Sequence, residues 1–345
     1  MCIRDSPFNI SLWKRKTPQD DWELLETKEI TTNINTWSWE YFTSDYFDCD
    51  DITPPGTHSQ FKFNATDQWG FSAETAAVNF TIYKDNVSVQ LVTGDYVNIY
   101  REGQGGPETQ TFSIIINDTD RSSAGVGENV STRFWITTDG SSFDTYYDND
   151  TTQDSISRYE FNPNCTYRYG PQLWIGGVHN DTCYNDRNST TSGHPFTIIA
   201  QLKNNINLPY WTNNQQPVFN VTDQITIRLN TTSDCEAEEG LINETTVTLK
   251  VQLPNGTTES CTPVNNESSP YGYYNCTFDS TDHPEGNYSI QLNSSRQYFN
   301  PNSTFLQDWF WLENLNASTS NISVTPQQDG WTRQYNYSIL IDDPD

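Results

Sequence analysis

The chain reads as an all-β protein, a series of tandem antiparallel β-sandwich modules in an extended array, and three observations predict this. Along Gly286-Asn287-Tyr288-Ser289-Ile290-Gln291-Leu292-Asn293, the apolar Tyr288, Ile290 and Leu292 alternate with polar residues, the pattern of a strand with one covered and one wet face. A related phrase stands earlier, from Gly56-Thr57-His58 to Asn64-Ala65-Thr66. Both copies have a cysteine shortly upstream (Cys276, Cys49) and an aromatic strand downstream, Val78 to Tyr83 and Trp309 to Leu312. Finally, 17 Pro, 18 Gly and 14% aromatics favour strands and turns, and no amphipathic helical stretch of useful length is present.

The first module is expected over 7–85. Phe8 to Trp13 alternates as a strand, Trp22 to Leu25 returns as its hairpin partner, and Trp37 and Trp39 share a face on a third strand. Compared with the later copy, this module lacks its opening strands. The second, 86–203, opens on Val87, Val89 and Leu91. Phe112, Ile114 and Ile116 follow, and Asp139-Gly140 turns a hairpin between Arg133–Thr138 and Phe143–Tyr147. The third, 204–314, is entered through a polar, proline-marked linker from Leu208 to Pro217 and contains two cleanly alternating strands, Ile225–Leu229 and Val247–Leu253. At 315–345 the opening of the second module begins again: Asn321 to Val324 repeats Asn86 to Val89, and the acidic turn ending at Asp345 repeats the one ending at Asp120. Two strands cannot bury a face by themselves, so this segment is expected to pack poorly or aberrantly. Met1 to Ser6 resembles a translated sequencing-adapter scar and is set aside. With no signal segment at the start and an uncapped strand before Asp342-Asp343-Pro344-Asp345, the chain reads as an internal fragment of a longer protein.

Twenty-two Asn-x-Ser/Thr sequons occur among 35 Asn. Ser and Thr make up 73 of 345 residues, so chance pairing would give roughly seven. The excess points to an exported, glycosylated protein, with Asn64, Asn79, Asn86, Asn117, Asn220, Asn243, Asn255, Asn287, Asn293 and Asn321 as candidate acceptors. The net charge of −27, from 45 acids against 18 Lys and Arg, argues against nucleic acid and anionic membrane surfaces as partners. It serves solubility or salt tolerance more readily than steering of a cationic ligand. Attachment to a membrane would run through an anchor outside these residues.

Apart from Cys2, six cysteines remain, and in an oxidising compartment structural disulfides are their default state. Cys165 and Cys183 bracket Gln172 to Val178 and form the first candidate pair. Cys235 with Cys276 is favoured in the third module, with Cys261 to Cys276 as the shorter-loop alternative. Cys49 is expected to have lost its partner with the missing opening strands.

At Gly286-Asn287-Tyr288, at Gly56-Thr57-His58 and at the strand-ending acidic turns, the sequence resembles the immunoglobulin-like, fibronectin-III-like and PKD-like repeats of archaeal and bacterial cell-surface proteins. Tyr288 matches the tyrosine corner, in which a buried hydroxyl returns to the backbone, and His58 departs from it. The resemblance implies a surface stalk, an adhesin or a surface-layer component at the cell surface, whose partners are other surface proteins or glycans.

Asp118 and Asp120, with Asp343 and Asp345 in the repeat, offer clustered oxygens of the kind Ca²⁺ accepts between sandwich domains, although solvated turns are the commoner use of such residues. No other cofactor is indicated. The four histidines, His58, His179, His194 and His283, stand in separate segments without metal-ligand spacing, and no Gly-x-Ser-x-Gly or phosphate loop occurs, so no enzyme is expected. Exposed aromatics would suit stacking on sugar rings. Trp69 and Trp174 are the candidates for a carbohydrate-binding array, weighed against a Trp-rich core.

Overall fold

The computed structural model describes residues 7–31, 39–43, 47–101, 106–122, 124–213, 215–269, 271–314, 318–325, 330–331, 334 and 336–342. Among them the architecture is all-β, built of antiparallel sheets, and the α-helix is limited to one turn, Glu236–Glu239.

The first sheet has five strands in the order Glu23–Ile30, Phe8–Arg15, Ser59–Asp67, with Ser72–Glu74 and Val78–Phe80 both pairing to the last. Leu12 lies opposite Phe63 and Lys14 opposite Phe61, which places Ser59, Phe61 and Phe63 on the inner face. The same order recurs near the other end of the chain: Thr258–Ser260, Thr246–Gln252, Gly286–Ser295, Asn302–Glu313. There a second sheet, Gln224–Ser233 with Tyr273–Asp279, closes a sandwich over Ile227, Leu229, Leu249, Val251, Ile290 and Phe310. The first sheet has no such cover among the described residues. Trp39 is 87% exposed and outside any strand, contrary to the strand expected there, and Trp37 lies outside the described residues.

Tyr288 is fully buried, stacks on Phe310 at 5.2 Å, and donates its hydroxyl to the Pro284 carbonyl at 2.7 Å, the expected corner. Burial pushes this phenol up to about 12. In the earlier copy the buried position belongs to Ser59 and His58 is exposed. The two copies are therefore out of phase by one residue at this point. A register shift between Tyr288 and Ile290 marks where the later copy is irregular.

The middle of the chain forms a second sandwich. One sheet runs Ile156–Phe161, Gln110–Asp118, Val87–Thr93; the other runs Thr145–Asp150, Ser131–Ile136, Gly170–Val178, His194–Leu208. Phe112, Ile114, Phe134, Trp174 and Phe196 fill the space between them. At the predicted Asp139-Gly140 turn, Gly140 has φ +82, and a Cβ there would meet the Pro171 carbonyl at 2.7 Å.

The strand His194–Leu208 is 15 residues long and belongs to both sandwiches. Its first half pairs with Gly170–Trp174, and its second half, from Leu202, pairs with the Arg228–Ser233 end of Gln224–Ser233. Residues 203 and 204, the expected boundary, thus lie inside one continuous strand, and the polar run from Leu208 follows it. A small cluster of Ala200, Leu202, Ile242 and Phe299, with Tyr169 against it, fills the space between the two main cores.

Ser318–Thr325 and Asn336–Asp342 form a two-stranded ladder, but its register differs from that of the segment it repeats. Val324 pairs with Tyr337, whereas Val89 pairs with Ile116, the counterpart of Ile341. With Ile339, Leu340 and Ile341 exposed, no covered face holds the strands in one register.

Candidate functional site

The side chains with unusual chemistry gather at the two places where one sheet system meets the next. The three disulfides among the described residues all differ from the favoured pairings. Cys49 joins Cys183, Cys165 joins Cys235, and Cys261 joins Cys276, with Cα separations of 4.9, 5.4 and 5.9 Å. The Cys165–Cys183 expectation fails for a simple reason: the two residues flank the nine-residue strand Gly170–Val178, whose extended backbone spans roughly 30 Å. Cys235 with Cys276 fails similarly. Cys276 lies opposite Ile227 in the ladder, and Cys235 is eight residues farther along, roughly 26 Å away if extended. Cys276 is instead buried inside the third unit and bonds to Cys261, the shorter-loop alternative. Cys49 has a partner after all, in the neighbouring unit.

Around Cys49–Cys183, the backbone N–H of Asp85 donates to the Cys183 carbonyl at 3.0 Å, and that of Asn185 donates to the Asp85 carbonyl at 3.0 Å. Lys84 Nζ donates to the Asp181 carbonyl. The segment leaving the first sheet is thereby held to the second sandwich by main-chain bonds as well as by the disulfide.

Beside Cys165–Cys235 stands Arg101, only 2% exposed. Its Nη1 donates to the Tyr167 carbonyl at 3.0 Å. Its Nη2 donates to Asp234 Oδ1 at 3.1 Å and to both Glu239 oxygens at 3.0 Å, and its Nε lies 3.0 Å from Asp234 Oδ2. Asp234 and Glu239 come from the other side of the junction, from the turn after Gln224–Ser233 and from the single helical turn. Asp234 Oδ1 also accepts the Gln201 N–H at 3.1 Å, which ties it to the shared strand. Burial pushes the Asp234 carboxyl above its ordinary value, and the charge of Arg101 offsets part of that rise. Across the junction Tyr169 packs on Phe299 at 4.4 Å, and Arg296 donates to the Tyr169 hydroxyl at 3.2 Å. The sequence reading missed Arg101, because a single cation after a short strand has no periodic signature. The acid-rich run Asp234-Cys235-Glu236-Ala237-Glu238-Glu239 beside a cysteine was the available signal.

The expected Ca²⁺ turn is differently engaged. Asp118 Oδ1 accepts the N–H groups of Asp120 and Arg121, both at 2.9 Å, while Asp118 Oδ2 and Asp85 flank the Arg121 guanidinium at 3.3 and 3.0 Å. Asp120 Oδ2 accepts the Asn86 N–H at 2.7 Å. A guanidinium therefore stands among these carboxylates; Asp343 and Asp345 lie outside the described residues. Cys165, Cys235 and Glu238 have ligand-type atoms within 4.8 Å of one another, but both sulfurs are joined in the disulfide.

Trp174 is fully buried, stacks on Phe112 at 4.7 Å, and donates its indole N–H to the Gly94 carbonyl at 2.8 Å. It is a core residue and cannot meet a sugar, which overturns that candidate. Trp69 is 65% exposed in the turn after Ser59–Asp67. Trp309 and Trp311 are half-buried, Trp309 packing against the core with Trp211 at 5.6 Å from it, while Phe310 and Leu312 are fully buried in that core. Of the candidate acceptors, Asn79, Asn86, Asn243, Asn255 and Asn287 are exposed, and Asn64, Asn117, Asn220 and Asn293 are half-buried. The side chain of Asn321 lies outside the description.

Ser189 Oγ and His194 Nε2 are 3.0 Å apart, but among the described residues no carboxylate hydrogen-bonds the other ring nitrogen, and burial against Trp174 depresses the imidazole. His283 is a structural clamp: Nε2 lies 3.0 Å from a Glu259 oxygen and Nδ1 2.8 Å from the Thr281 carbonyl. Burial lowers its proton affinity, but the Glu259 and Thr281 bonds raise it by more, so the folded value lies above 6.5. This contribution is fully present below the unfolded value and is lost as pH rises through the folded one. The full chain should therefore gain stability on going from about pH 8 to about pH 5.5 through this group, and His283→Gln should remove that gain in denaturant titrations at both values.

No family model matches the chain, and no curated protein matches it. Solved structures do. A tetra-tandem repeat from the extending region of a large adhesion protein aligns over 98% of this chain and 81% of its own at 11% identity, TM-score 0.36. A structure of a 1.5-MDa bacterial ice-binding adhesin concerned with host cell surface retention aligns over 87% and 84% at 10% identity, TM-score 0.26. Fibronectin(III)-like modules of Clostridium thermocellum CbhA align over 64% and 93% at 10% identity, TM-score 0.21. At TM-scores this low, the fold class rests on the sheets described above.

Proposed function

We propose that this chain is a non-catalytic, glycosylated segment of an extracellular stalk, adhesion or surface-layer protein. Its units are 7–85, 86–203 and 204–314, with 315–345 opening a further copy of the second kind. The observation that carries the reading is the pair of junction disulfides, Cys49–Cys183 and Cys165–Cys235, which bind consecutive units in series. Three disulfides fit an oxidising compartment, and nine of the ten candidate acceptors named above, those whose side chains are described, are all at least partly accessible. None of the described helices is long and apolar enough to cross a membrane.

The test is secretion of the full chain from a glycosylating host, followed by peptide mapping and glycan-array binding. Glycans are expected on Asn79, Asn255 and Asn287 and not on Asn230, whose sequon Asn230-Thr231-Thr232 is buried. A secreted protein with reduced cysteines and no glycans would overturn the reading.

One groove favours a second reading, a carbohydrate-binding array. On the outer face of the third unit Phe305 is 53% exposed beside Gln252, Asn287, Gln307 and Asp308, an apolar platform ringed by amides and a carboxylate. Saturable array binding lost in Phe305→Ala or Trp69→Ala would favour that reading over a spacer.

A further inference from the structure

The two junction disulfides overlap in sequence. Cys49–Cys183 encloses 134 residues and Cys165–Cys235 encloses 70, and the loops share the stretch from 165 to 183. Chain pulled at its ends follows the shortest covalent route. It enters through Cys49, crosses to Cys183, runs back to Cys165 and crosses to Cys235. Of the 186 residues from Cys49 to Cys235 (235 − 49), only 18 (183 − 165) lie on that route.

Those 18 residues contain Gly170–Val178, a strand near the middle of its sheet, hydrogen-bonded to Ser131–Ile136 on one side and to His194–Leu208 on the other. Strand residues are already close to full extension, so pulling along this route yields little new length. We infer that the overlapping disulfides make the second unit a tension-bearing link, in which load passes along Gly170–Val178 while the remaining strands carry none of the covalent traction. This deepens the stalk reading by assigning a mechanical role to one part of it. The Arg101 cluster and the shared strand seat the Cys165–Cys235 end of the link, and the Lys84–Asp85 contacts seat the other.

The experiment is single-molecule extension of the full chain, held by terminal peptide tags and carrying Cys2→Ser so that the seventh cysteine cannot exchange with the pairs. Reduction with dithiothreitol should add the 168 hidden residues (186 − 18) at this junction, about 60 nm of contour at about 3.6 Å per residue. Cys261–Cys276 hides a further 15.

The double variants separate overlap from independence. Cys49→Ser with Cys183→Ser should add 98 residues, because 116 (165 − 49) then replace 18. Cys165→Ser with Cys235→Ser should add 34, because 52 (235 − 183) then replace 18. The two increments together fall short of the 168 freed by losing both bonds, which is the signature of interlocked loops. An increment of only 18 on reduction (183 − 165) would mean that Cys165 pairs with Cys183 instead, and no increment would mean that the bonds do not form; either overturns the proposal. Full-stretch contour reads covalent connectivity whether or not a variant folds well. Alkylation and mass spectrometry of each variant confirm that the remaining bonds are closed. The lengths do not depend on glycans or on adhesion, so the stalk reading can fail while this link stands, and the reverse.

Discussion

Arg101→Met should destabilise the junction of the second and third units by about 3–5 kcal/mol, because it leaves Asp234 and Glu239 as buried acids without their cation. Met fills similar volume, so lost charge rather than a cavity is the cause. Denaturant unfolding of the full chain, followed by probes in both units since a multi-unit chain need not unfold in one step, is the measurement. Replacing all three charged residues with apolar ones should recover most of the loss, since buried ionic triads often stabilise no more than well-packed hydrophobes. The defect should also depend on pH. The folded Asp234 carboxyl sits above its unfolded value of 3.8, so protonation favours the folded state, and that contribution disappears as pH rises through the folded value. Lowering pH toward that value should therefore shrink the Arg101→Met defect. Equal stability of variant and parent at neutral pH would show that the cluster does not hold the joint.

Trp174→Ala should cost about 3–5 kcal/mol in the second unit, the range for removing a large aromatic from a packed core. The indole lies within 5.9 Å of Phe134 as well as stacking on Phe112, and its removal also leaves the Gly94 carbonyl without a donor. Trp174→Phe should lose less, keeping part of the stack but not the hydrogen bond. Thermal unfolding with near-ultraviolet circular dichroism separates the two variants. A Trp174→Ala protein as stable as its parent but deficient in glycan binding would contradict the core assignment.

The residues that were legible in advance are those whose signal is local. Alternation at Tyr288, Ile290 and Leu292 revealed a strand and its inner face, Asp139-Gly140 revealed a hairpin, and the Tyr288 corner was implied by the resemblance to immunoglobulin-like repeats. The two matching phrases do fall in corresponding strands, Ser59–Asp67 and Gly286–Ser295, although the one-residue slip that puts Ser59 where Tyr288 stands was not legible. The junctions were not legible. Cysteines that bracket a strand look like neighbours on paper, yet an extended strand carries its ends apart, so Cys165 and Cys183 each face a different unit.

Trp174 and Trp69 could not be sorted by type, because an indole serves equally well in a core or on a surface, and only the placement of Phe112 and Gly94 decided the matter. The sequence by itself determined the all-β character and the inner face of the Tyr288–Leu292 strand, because these depend on period and turn chemistry within a few residues. The tertiary structure alone decided the disulfide partners, the sharing of His194–Leu208 between two sandwiches and the burial of Arg101 against Asp234 and Glu239. Each of these depends on where distant strand ends meet, a property that no local pattern encodes.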